Sequence, residues 1–180
     1  MSPLPLTCSC HPPALGRRRL LALAGGAGGA VLMSRVRPAT AAGAAKALLL
    51  SCIDYRLLDS VDSYMKQHGL EHAYDHTILA GAALGVLLDQ KPDWAHTFWD
   101  HVDIAKQLHG IQEVIVIDHR DCGAFKVFLG PDSIKDPATE TATHQRILRT
   151  FAAQLKARHP DLAAELYLMA LDGSVLPIAA

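Results

Sequence analysis

Glu113-Val114-Ile115-Val116-Ile117-Asp118-His119-Arg120-Asp121-Cys122-Gly123-Ala124 is the stretch on which the fold turns. Val114 to Ile117 are apolar on successive residues rather than alternating. That pattern predicts a strand buried on both faces, as in a parallel sheet. The polar string behind it then stands at the strand's carboxyl end, where open α/β sheets bind ligands. Working outward, two more runs share the pattern, Ala47 to Cys52 and Leu166 to Ala170. A fourth and weaker run is Asp75 to Ala80. Helical spacing lies between them. Residues 57–68 place Leu57, Leu58, Val61, Tyr64 and Met65 on one stripe, with Gly69 as a stop. Residues 93–109 follow Pro92 and end at Gly110, placing Trp94, Phe98, Val102, Ala105 and Leu108 together. Residues 140–158 align Ile147, Leu148, Phe151 and Leu155, after a loop from Gly130 to Ala138. Strands alternating with helices predict an α/β fold, a mainly parallel sheet of about four strands flanked by helices. Trp94, Phe98 and Trp99 read as core or interface residues.

A second polar string, Ser51-Cys52-Ile53-Asp54-Tyr55-Arg56, follows the first strand. If the first and third strands are neighbours, Cys52, His119 and Cys122 converge. Two thiolates and an imidazole suit zinc, and three protein ligands leave one tetrahedral position open, as in catalytic rather than structural sites. On an extended stretch Cys52, Asp54 and Arg56 share a face. An acid there can orient an attacking hydroxide by accepting its proton in a hydrogen bond. It can also close the site as a fourth ligand. Arg56 can pair bidentately with Asp54 and hold it off the metal. Other readings of the same residues stand beside this one: a Cys52–Cys122 disulfide, a zinc site without turnover, and a plain Asp54–Arg56 ion pair.

Cys52-x-Asp54-x-Arg56 followed by His119-x-x-Cys122-Gly123 resembles the two signatures of the β-class carbonic anhydrases. Leu168 to Val175 is similar to that family's last-strand segment, and the likeness covers most of residues 47–176. The resemblance implies a β-carbonic-anhydrase-like domain with one zinc ion per chain on Cys52, His119 and Cys122. It implies Asp54 and Arg56 as the catalytic pair and reversible hydration of carbon dioxide to bicarbonate and a proton as the reaction. It also implies a homodimer or higher homo-oligomer. A carbon disulfide or carbonyl sulfide hydrolase on the same zinc site is one alternative, and a non-catalytic periplasmic zinc-binding module is another. Ile78-Leu79-Ala80-Gly81-Ala82-Ala83 stands where the family commonly carries an Arg-Asn-Ala-Gly type string.

The 180 residues are 50% hydrophobic and 19% charged, a globular composition. Formal net charge is −1, but residues 1–44 hold five arginines, no lysine and no acid. The remainder has 12 basic against 18 acidic residues, which argues against nucleic acid as a partner. Arg17-Arg18-Arg19-Leu20-Leu21 leads into an apolar stretch ending at Met33, then Ala39-Thr40-Ala41 and Ala42-Gly43-Ala44. That order is an export signal's, and the apolar stretch is too short to span a bilayer. The arginine string resembles the twin-arginine motif. The expectation is therefore a cleavable signal peptide over 1–44, recognised by the twin-arginine export machinery. The zinc domain over 45–180 is then periplasmic or otherwise exported from a bacterium, with no membrane span after cleavage. His68, His72, His76, His96, His101, His109, His144 and His159 match no ligand spacing and read mostly as surface residues, one of which can shuttle protons. Asp121, Gly81, Gly123 and Ala124 read as turn and packing residues.

Overall fold

The computed structural model describes residues 44–180. The leader reading over 1–44 therefore falls almost wholly outside the described residues. Within them, no helix is long and apolar enough to cross a membrane. Five strands form one sheet in the order β2-β1-β3-β4-β5: β1 Ala47–Ser51, β2 Tyr74–Ile78, β3 Glu113–His119, β4 Ala163–Met169 and β5 Val175–Ile178. The first four run parallel and β5 is antiparallel to β4. The helices are α1 Leu58–Gln67, α2 Ala83–Val86, α3 Pro92–His109, α4 Gly123–Leu129 and α5 Pro137–Arg158.

The successive apolar residues of β1 and β3 divide by parity between two cores, because both faces of the sheet are covered. Leu48, Leu50, Val114 and Val116 meet Phe98 and Val102 of α3 and Leu148 and Phe151 of α5. Ala47, Leu49, Ile115 and Ile117 meet Leu57, Val61 and Met65 on the other face. Gly110 takes the left-handed conformation, φ 69°, that ends α3. Asp136 caps α5 by accepting from the Ala138 and Thr139 amides.

Several sequence expectations need correction. The sheet has five strands; β5 is a short edge strand containing Pro177, a residue that weakens any strand signal. The region read as a loop begins with a helical turn, Pro131–Ile134, and α5 starts at Pro137. Leu108 is 66% exposed, outside the buried stripe of α3. His144 and His159 are buried, not surface residues. His144 Nδ1 donates to Asp118 Oδ2 at 2.9 Å, and Asp118 Oδ1 accepts from the Ala83 amide. This buried pair ties the end of β3 to α5 and α2.

Candidate metal centre

The strand order puts β1 and β3 side by side, with β2 outside β1. The chain thus turns outward after β1 and back inward for β3, and the crevice between their carboxyl ends is the switch point of the sheet. Cys52 follows β1 directly, His119 is the last residue of β3, and Cys122 precedes α4. Their ligand atoms all lie within 4.8 Å of one another, and all three residues are buried.

The donors fit a metal ion. Both cysteines are free, and their sulfurs stand 3.9 Å apart. A disulfide would bring them to about 2.05 Å, whereas tetrahedral ligation at about 2.3 Å places two sulfurs about 3.8 Å apart. His119 Nδ1 donates to the Arg120 carbonyl at 2.8 Å, which fixes the tautomer and leaves Nε2 with its lone pair. That Nε2 is buried and has no hydrogen-bond partner among the described residues. Cys52 is drawn toward the thiolate, its pKa lowered chiefly by hydrogen bonding from Cys122, with the Gly81 amide acting in the same direction. Pairing with Cys52 and burial push the Cys122 thiol up.

Gly81 supplies its amide to Cys52 Sγ at 3.3 Å. Its φ is +79°, and an added Cβ would stand 3.1 Å from the Ala124 Cβ. Both facts call for glycine there.

Asp54 and Arg56 come together by a different route from the extended stretch expected. The strand ends at Ser51, and Asp54 caps a helical turn, Tyr55–Leu57, by accepting from the Arg56 amide at 3.1 Å. The turn folds the guanidinium back onto the carboxylate: Nε donates to Oδ1 at 2.9 Å and Nη2 to Oδ2 at 2.7 Å. The Arg56 guanidinium holds the Asp54 pKa down at about 2. Asp54 Oδ2 lies 3.8 Å from His119 Nε2, so the carboxylate borders the three donors while remaining bound to arginine. Asp121, read as a turn residue, is also a partner of this pair. Its Oδ2 accepts from Arg56 Nη1 at 3.0 Å and its carbonyl from Nη2 at 3.2 Å.

Two cavities open here. A groove of about 680 Å³ is lined by Asp54 and Arg56 and by Ile53, Trp94, Val127 and Phe128. A smaller one, about 220 Å³, is lined by Cys52, Asp54, Ser51 and His76, and Ser51 Oγ lies 2.8 Å from His76 Nε2. Sequence spacing had not distinguished His76 from the other histidines; its place on the edge strand next to β1 does.

A family model described as "Putative carbonic anhydrase" matches residues 42–156. An uncharacterized protein of Rickettsia conorii is 40% identical over 131 residues, 73% of this chain and 70% of that protein. The chain belongs to this carbonic anhydrase-like family. A second relative, from Rickettsia bellii, is 37% identical over 131 residues, covering 73% of this chain and 80% of its own length. Among solved structures, a β-carbonic anhydrase of Trichomonas vaginalis superposes with a TM-score of 0.50 at 15% identity, over 75% of this chain and 84% of that one. One of two tetrameric β-carbonic anhydrases of Sordaria macrospora gives 0.51 at 11% identity, over 77% and 82%. A β-carbonic anhydrase of Aspergillus fumigatus gives 0.51 at 11% identity, over 81% and 92%. At these identities the likeness establishes the fold: this family member has the β-carbonic anhydrase α/β architecture.

Proposed function

We propose that the chain is a zinc-dependent carbonic anhydrase, hydrating carbon dioxide reversibly to bicarbonate and a proton. Cys52, His119 and Cys122 hold one zinc ion, and Asp54 and Arg56 are the catalytic pair. The observation that carries the reading is a buried, unpartnered His119 Nε2 grouped with two free thiols and bordered by an arginine-bound carboxylate. Zinc at such a site makes hydroxide available near neutral pH, because the ion's charge lowers the pKa of water to about 7. Asp54 accepts the proton of the attacking hydroxide in a hydrogen bond and so directs its lone pair at carbon. Arg56 restrains Asp54 through two parallel bonds, keeping the carboxylate from turning in as a fourth ligand. The apolar walls Ile53, Trp94, Val127 and Phe128 receive an apolar substrate. His76 takes the product proton outward: it is exposed, it shares a cavity with Asp54, and imidazole exchanges protons at neutral pH.

We further propose a homodimer or larger homo-oligomer. Ile53, Tyr55 and Val127 are 62%, 81% and 76% exposed around the mouth of the groove, an apolar rim suited to a second copy. Export through the twin-arginine machinery, cleavage near residue 44 and a periplasmic location rest on the leader sequence.

Metal analysis and stopped-flow carbon dioxide hydration on the purified protein test the central reading. About one zinc per chain with hydration supports it. Turnover of carbon disulfide or carbonyl sulfide instead makes the protein a hydrolase on the same site, and zinc without any turnover makes it a binding module. A folded, metal-free protein with Cys52 bonded to Cys122 ends the enzyme reading.

A further inference from the structure

We infer that Glu140 is the positioning residue of the Asp54–Arg56 pair: it clamps the Asp121 turn, and the clamped turn holds Arg56 against Asp54. In what it means for activity, the inference rests on the proposed function; in its geometry it stands alone. Glu140 lies in the first turn of α5 and is 7% exposed. The cap of that helix is already supplied by Asp136, so the Glu140 carboxylate is not spent on α5. It reaches across to the turn between His119 and Cys122 instead. Oε1 accepts from the Asp121 amide at 2.6 Å and Oε2 from Arg120 Nη1 at 3.0 Å. Thr141 Oγ1 accepts from Arg120 Nη2 at 3.0 Å, completing the hold on Arg120.

Asp121 has φ +55°, a left-handed conformation that a non-glycine residue keeps only when its surroundings hold it there. That conformation turns both the carboxylate and the carbonyl of Asp121 toward Arg56. The guanidinium is thus gripped on one side by Asp121 and on the other by Asp54. Without the Glu140 carboxylate, the Asp121 amide loses its acceptor, and the turn is free to relax toward right-handed φ. Arg56 then loses two of its acceptors, and Asp54 loses its restraint. Lys126 also pairs with Asp121, but from the exposed side and on the other carboxylate oxygen, so it does not substitute for the clamp.

The test reads Arg56 directly, in zinc-free protein and without substrate. The Nε–H resonance of Arg56, assigned by its loss in Arg56→Lys, reports the bond to Asp54 through its exchange with water. Glu140→Met keeps the length of the side chain and removes both acceptors. Exchange should speed up about tenfold or more, since losing even one of the two charge-assisted bonds to Asp121 corresponds to about that factor, while amides of β3 exchange as in the wild type. Glu140→Gln retains an oxygen for the Asp121 amide and should restore most of the protection. Should Glu140→Met fail to fold, Glu140→Ala, a smaller side chain that also lacks any acceptor for the Asp121 amide, takes its place with the same expectation. In cobalt-loaded protein, Glu140→Met should display a fourth protein ligand that disappears when Asp54→Asn is added. Unchanged Arg56 exchange in a folded Glu140→Met or Glu140→Ala protein would overturn the inference. Failure of the wild type to hydrate carbon dioxide would instead sink the functional reading and leave the Arg56 result standing.

Discussion

Replacing Asp54 by Asn separates the proposed chemistry from everything else the site does. The side chain keeps its shape, and Cys52, His119 and Cys122 are untouched, so zinc content should stay near one per chain. What changes is charge. With its pKa held at about 2 by Arg56, Asp54 is ionised in all but about one molecule in 10⁵ at pH 7. The amide has no such charge, and its NH₂ must face one of the two guanidinium donors that the carboxylate satisfies at 2.9 and 2.7 Å. An acceptor placed for proton handling is worth about 10²–10⁴ in rate, so hydration should fall by that factor. Because Asp54 stays ionised across the whole neutral range, the wild-type to variant ratio should be flat from about pH 6 to 9. The acid limb of stability gives a second, metal-free reading. The folded pKa lies below the ordinary 3.8, so the carboxylate stabilises the fold above that value and loses its contribution as pH falls through about 2. The urea midpoint of wild-type apoprotein should therefore drop more steeply below about pH 4 than that of Asp54→Asn. Stopped-flow hydration on zinc-loaded samples decides the matter: a variant that hydrates carbon dioxide at the wild-type rate removes Asp54 from the mechanism.

Three other outcomes are expected. Cys122→Ser should lose zinc by metal analysis and unfold at lower denaturant than the loaded wild type, because the proposed ligands stand at the ends of two strands and binding free energy is folding free energy; a variant that retains one zinc would place the metal elsewhere. His76→Ala should lower turnover about 10²-fold in dilute buffer, with kcat/KM unchanged and with recovery on adding imidazole; a buffer-independent loss would exclude a proton-transfer role. Replacing Arg17 and Arg18 together by Lys should leave precursor in the cytoplasm while the zinc domain still folds, as fractionation and metal content would reveal; normal export would point to the general pathway.

The sequence carried the sheet and the donors because each is encoded locally. Val114 to Ile117 are apolar one after another since α3 and α5 cover one face of β3 and α1 the other, and no contact beyond that is needed to read the strand. Cys52, His119 and Cys122 were legible because they sit at strand ends, where the chain leaves the sheet. Their meeting still required β1 beside β3, a fact of strand order that no local pattern states. The residues that were misread or missed act across the chain instead. Glu140 reads as one more acid at a helix start until its oxygens are found on a turn 19 residues away. Asp121 reads as a turn former until Arg56, 65 residues earlier, is found on its carboxylate. Gly81 contributes a backbone amide, a donor that every residue but proline possesses and that residue type cannot advertise. His144 looked like a surface histidine because what offsets its burial is Asp118, whose carboxylate accepts from Nδ1 from another element. The division has a physical basis. A ligand must be a particular residue type, and so it marks the sequence. What positions a ligand need only be a donor or acceptor at the right place, and place is a property of the fold.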